Sequence, residues 1–147
     1  MREIMFRGKR VDNGEWAYGD LAFKKDGTPC IRFWTKLGIF TARAVIPETV
    51  GQYTGLTDKN GKKIFEGDIV HAVHKSNYGG LKNTDFGIGV VKYCDSYYGG
   101  ASYEIDIIGK SGSRVFSASL EDGVEVIGNI HDNPELVESE VKDERLY

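Results

Sequence analysis

Apolar and polar residues alternate with period two along most of residues 1–130, the pattern of strands that bury one face. Short runs of Gly, Asn, Asp and Ser punctuate it. Arg2–Val11 and Glu15–Phe23 flank Asp12-Asn13-Gly14. Asn-Gly admits the positive φ angles of a type I′ turn, which predicts a hairpin. Lys25-Asp26-Gly27 predicts a second such turn, leading into Cys30–Trp34. Ile39–Ile46 is the next strand, with Phe40, Ala42, Ala44 and Ile46 on one face. Pro47–Val50 predicts one helical turn with proline at its start.

The second half opens with a turn at Asp58–Lys62. Strands are predicted at Ile69–Val73, Phe86–Cys94, Tyr103–Ile108, Val115–Leu120 and Val124–Ile130. Five short strands with tight connections suit a small closed or nearly closed barrel, because closure removes exposed edges. Asp132-Asn133-Pro134-Glu135 then supplies capping side chains, a proline for a first helical position and an acid where the helix dipole favours it. A short helix is predicted over Pro134–Arg145. Leu136, Val137 and Val141 form a narrow apolar stripe, and Glu138 and Lys142 an i,i+4 pair.

Composition agrees with this strand-rich reading. Glycine takes 19 of 147 positions, about twice the usual share of roughly 7%. Hydrophobic residues make up 40%, enough for a core, and no apolar run approaches the roughly 18 residues of a membrane span. The opening residues 1–7 lead into no apolar signal-peptide core. Cys30 and Cys94 are lone cysteines in apolar-aromatic runs, which implies packed free thiols in a reducing cytoplasm. The net charge of −3 is uneven: residues 121–147 carry nine acids and two bases, a net of −7, which leaves +4 for residues 1–120. That body tolerates a polyanion partner but lacks the strong basic bias of typical nucleic-acid binders.

Candidate chemistry is sparse. His71 and His74 are three apart, hence on opposite faces of a strand, and His131 is distant in sequence, so no metal site is expected. Glu66 and Asp68 could share a face for acid–base work. Gly67 between them instead marks a turn in which Asp68 bonds local backbone. Gly87-Ile88-Gly89 has only the first half of a dinucleotide fingerprint and reads as a strand closely approached by neighbouring backbone. With no catalytic motif in the sequence, no enzyme activity and no cofactor are expected. The segment Ser76-Asn77-Tyr78-Gly79-Gly80 is echoed by Ser96-Tyr97-Tyr98-Gly99-Gly100. Tyr-Gly loops make adaptable contact surfaces, which marks Tyr78, Tyr97 and Tyr98 as candidate partner-binding residues. A second candidate surface uses Arg2, Arg7, Lys9 and Arg10 for phosphate contacts and Trp16 and Tyr18 for base stacking.

Three blocks carry a family resemblance: Arg2–Arg7, Val50–Val70 with its core GQYTGLTDKNGKKIFEGDIV, and Val126–Leu136. In this order they resemble the YopX family, encoded mostly by bacteriophages and prophages. The resemblance implies a phage-derived cytoplasmic protein, a capacity for homo-oligomers and no assigned catalytic residue. Gly67-Asp68 before Ile69-Val70 also resembles the strand start of SH3-like barrels. The expected fold is therefore mainly β, with an N-terminal β-hairpin region at 1–50, an SH3-like barrel at 51–131, and a C-terminal helix and tail at 132–147. The expected role is non-catalytic, through a protein partner or self-association and with no membrane. Nucleic-acid binding on a barrel face is the alternative.

Overall fold

The hairpin loops show how local sequence sets the strands. Lys24, Thr35 and Asp58 each donate their amide to the carbonyl four residues on, at 2.9, 2.8 and 2.7 Å. Each also accepts, through its own carbonyl, the amide of Gly27, Gly38 or Gly61, at 2.9, 2.9 and 3.0 Å. This is a three-residue loop, a turn closed by a residue in the left-handed region, and Gly27, Gly38 and Gly61 have φ of 90°, 80° and 82°. The loop at residues 11–14 is one residue longer, with Arg10 N–H donating to Glu15 O at 2.8 Å and Gly14 N–H donating to Arg10 O at 2.9 Å. The hairpins fall where the sequence places them, but the turn type differs from the expected type I′. That type needs two successive positive φ angles, and no residue other than glycine has one among the described residues.

The computed structural model describes residues 3–74, 84–96, 100–109, 114–116 and 123–138. It is mainly β, in two compact units, Met1–Gly55 and Leu56–Tyr147. In the first unit, β1 (Phe6–Lys9), β2 (Trp16–Phe23), β3 (Pro29–Trp34), β4 (Phe40–Ala44) and the start of β5 (Gly51–Thr57) form an antiparallel sheet in the order β4-β3-β2-β1-β5. A 3-10 turn at Pro47–Thr49 begins with the predicted proline. The sheet curls back on itself, since Arg10 bridges Val45. Val11 N–H donates to Ala44 O at 3.0 Å and Ile46 N–H to Lys9 O at 2.8 Å beside that bridge. Gly8 makes the seam possible, because a Cβ there would stand 2.9 Å from the Val45 side chain. Inside lie Ala17, Ile31 and Val45, packed by Phe6, Leu21, Phe33 and Val50. Burying a side chain such as Ile31 contributes about 1.5–3 kcal/mol.

In the second unit, β7 (Asp68–His74), β8 (Thr84–Ser96), β9 (Gly100–Ile107), β10 (Arg114–Phe116) and β11 (Val124–Asn129) form an antiparallel sheet in the order β10-β9-β8-β7-β11. A hairpin turning at Asp58–Lys62 leads into the short β6 (Lys63–Phe65). Ile64, Val70, Ala72, Val91, Ile105, Ile107 and Val124 make the core of this unit. Among the described residues no pairing joins the ends of the sheet, β10 and β11; the closing bridge is the one in the first unit. A short helix spans 134–138. The remainder of the predicted helix, with Val141 and Lys142, lies outside the described residues. No helix among the described residues is long and apolar enough to cross a membrane.

Candidate interaction surface

The sheet of the first unit has two unlike faces, and register fixes which residue goes to which. Lys9 pairs with Trp16 and Arg7 with Tyr18. Asp20 pairs with Arg32, and Arg32 with Ala42; Trp34 pairs with Phe40. Directly opposed residues share a face, and alternation along each strand carries the assignment onward. One face therefore holds Phe6, Ala17, Leu21, Ile31 and Phe33, the core. The other holds Arg7, Lys9, Trp16, Tyr18, Asp20, the buried Cys30, Arg32, Trp34 and Phe40.

That second face keeps large apolar groups in water. Trp34 is 70% exposed and Phe40 48%, their ring centroids 5.0 Å apart and tilted by 53°. Tyr18 and Arg32 are exposed as well. On the loop joining β3 to β4, Leu37 reaches 88% exposure, and Ile39 is also exposed. The apolar alternation of β4 is thus turned outward. Phe40 and Ala42 face solvent, and only Val45, just past the strand, enters the core. Sequence periodicity finds that face but not its direction.

The residues proposed from sequence for phosphate and base contacts separate in the structure. Arg7 is 5% exposed, and its guanidinium lies 4.6 Å from the Trp16 ring centroid, so its charge acts on that ring beneath the surface. Lys9 Nζ stands 5.7 Å from the same centroid. Arg10 is held by Asp12, Nε to Oδ1 at 2.9 Å and Nη2 to Oδ2 at 2.7 Å. The hydrogen bond from Arg10 holds the Asp12 carboxyl below the usual carboxylate range. This bidentate pair ties Arg10 to the turn. Arg2 lies outside the described residues, as do Tyr78, Tyr97 and Tyr98. Lys9, Trp16 and Tyr18 do come together. Arg32, Trp34 and Phe40 join them and were missed, although Arg32 and Trp34 stand two apart on one strand.

Asp68, His71 and Asp85 are tied into the second unit. Asp68 is 2% exposed, and its Oδ2 accepts the Phe65 amide at 2.8 Å, the local backbone bond expected of it. His71 Nε2 is 2.8 Å from Asp85 Oδ1, which also accepts the Gly87 amide at 2.8 Å. No group of three or more potential metal ligands occurs among the described residues. Cys30 is a buried free thiol.

The family model described as YopX protein matches residues 5–138. The chain belongs to the YopX family. Its fold is similar to a solved structure described as the crystal structure of protein EF1440 from Enterococcus faecalis, at 22% identity and a TM-score of 0.52. That similarity covers 93% of this chain and 99% of the other, and concerns the fold alone. No curated protein matches. The family match takes in β1 to β4, so the aromatic–cationic face lies within the matched span.

Proposed function

We propose that this YopX-family chain is a non-catalytic interaction module, an accessory protein of a phage or prophage, and that the outward face of its first sheet is the contact surface. The observation that carries this is the direction of β4 and its neighbour. The sheet turns Trp34 and Phe40 to water while a separate set of side chains fills the core. Contiguous exposed apolar surface rimmed by polar groups marks a place where another molecule binds. The family resemblance supports a phage or prophage origin and action inside a bacterial cell.

The chain has two tryptophans, Trp16 and Trp34, and both lie on this face, so their emission reads the surface directly. The test compares the native chain with Trp34→Ala/Phe40→Ala as its own concentration, or that of an added polynucleotide, is raised. The native emission shifts as a partner covers the face. The double variant keeps its fold and loses the engagement. Native emission that stays unchanged against both series would overturn the reading.

A further inference from the structure

We infer that the face formed by Lys9, Trp16, Tyr18, Arg32, Trp34 and Phe40 takes single-stranded nucleic acid, an assignment that rests on reading this face as the contact surface. Charge favours a polyanion. Residues 1–55 carry nine basic and six acidic side chains, a net of +3, against −6 for residues 56–147. On the face itself Arg7, Lys9 and Arg32 stand with one acid, Asp20, directly opposite Arg32. A second copy meeting this face by two-fold symmetry would set a positive patch against its own image, a repulsion that a phosphate backbone removes.

Ring placement favours single strands. Trp16 and Tyr18 are two residues apart on β2, which separates their Cα atoms by about 6.8 Å, twice the rise between stacked bases of a duplex. Aromatic groups at that interval suit bases spread along an extended backbone. In a duplex the base planes are covered by their neighbours and only the edges can be reached. Trp34 on β3 and Phe40 on β4 form a second, tilted pair, two and three strands away from β1, and Arg32 lies two residues before Trp34 on the same face. Arg7 works from beneath as a positioning group, its guanidinium holding the Trp16 ring while adding positive potential.

The experiment follows tryptophan emission of the full chain during titration with an oligothymidylate of about 20 nucleotides, long enough for one binding face. A duplex of equal length and a protein dilution series with mass by light scattering run alongside. At about 50 mM salt the oligothymidylate is expected to quench emission saturably, well below the concentration the duplex requires. Phe40→Ala, which leaves both reporters in place, lowers the affinity roughly five- to a hundredfold. Arg32→Glu weakens binding and flattens the slope of log affinity against log salt by about 0.7 or more. Both variants keep the native melting temperature within a few degrees, because both sites are exposed. Equal affinity for the duplex overturns the single-strand assignment. No oligonucleotide binding, with emission and mass that change with protein concentration, overturns the nucleic-acid assignment and leaves the contact surface to a second copy. No response in any series overturns both.

Discussion

Asp58 reaches Val126 across 68 residues of sequence: its Oδ2 accepts the Val126 amide at 3.0 Å. The other oxygen, Oδ1, accepts the amides of Asn60 and Lys62, each at 2.9 Å. One carboxylate thus shapes the hairpin turn before β6 and fastens it to β11. Lys59 adds a backbone bond to Val124 O at 3.0 Å and an ion pair with Glu125 at 3.3 Å. Burial pushes the Asp58 carboxyl up, but the amides of Val126, Lys62 and Asn60 outweigh it and hold the group below its ordinary value.

Asp58→Asn is therefore expected to destabilise the second unit by about 1–3 kcal/mol, since an amide oxygen replaces a carboxylate that serves three donors. Because the folded group binds its proton less readily than the unfolded one, the stability it gives is complete above about pH 4. That stability is lost as pH falls through the lowered folded value. Chemical denaturation at pH 7 and pH 3 checks both claims: the native–variant difference shrinks at the lower pH.

Gly89 and Gly87 predict different injuries from the same substitution. A Cβ on Gly89 would stand 2.5 Å from Ile105 Cγ2 and 3.0 Å from Asp106 O, so Gly89→Ala overpacks the β8–β9 seam and costs about 1–3 kcal/mol. Gly87 has open space but a φ of 87°, so Gly87→Ala strains backbone at about 1–2 kcal/mol without crowding the core. Crystal structures of the two variants separate them: side chains of β9 move in the first, and the backbone at residue 87 moves in the second.

The turns at Gly14, Gly27 and Gly61 were legible because a glycine after Asn or Asp stops the run, and such signals are local, whereas nothing local marks Gly51–Thr57 as the strand β5. Asp68 as a turn residue and Gly89 as a close approach were legible for the same reason. What periodicity lacks is direction. Phe40, Ala42 and Ala44 share a face in either orientation, and only the pairing of Trp34 with Phe40 on a sheet whose core comes from Ile31, Ala17 and Val45 turns that face outward. The basic run of Arg2, Arg7, Lys9 and Arg10 predicts Arg7 as a surface phosphate contact. Arg7 is buried instead, with the Trp16 ring brought within 4.6 Å of its guanidinium by the β1–β2 register, which no local signal encodes. Where local pattern and global packing disagree in this way, function is the common reason.

Arg7 and Trp16 supply a spectroscopic prediction. In a Trp34→Phe background, emission comes from Trp16 alone. Removing the guanidinium with Arg7→Met is expected to change the intensity and position of that emission and to destabilise the first unit by about 1–2 kcal/mol, the range of a desolvated cation–π contact. Arg7→Lys restores charge without the planar group and is expected to recover only part of the emission change. Fluorescence spectra of the three chains decide it.

Glu66 and Asp68 test whether the Gly67 turn is structural or chemical. Gly67, with φ of 86°, donates its amide to Val91 O at 2.9 Å and accepts the Ile130 amide at 2.9 Å, so this one residue ties β8 and the end of β11 to the start of β7. Asp68 sits beside it with its carboxylate on the Phe65 amide, buried, whereas Glu66 is half-buried. A structural turn predicts unequal damage. Asp68→Ala leaves a buried donor on Phe65 and costs about 1–3 kcal/mol. Glu66→Gln keeps the shape of the side chain and stays within about 0.5 kcal/mol. An acid–base pair would instead make the two positions matter together for an activity while leaving stability alike. Denaturation midpoints of the two single variants distinguish these patterns, and a loss confined to Asp68→Ala is the expected result.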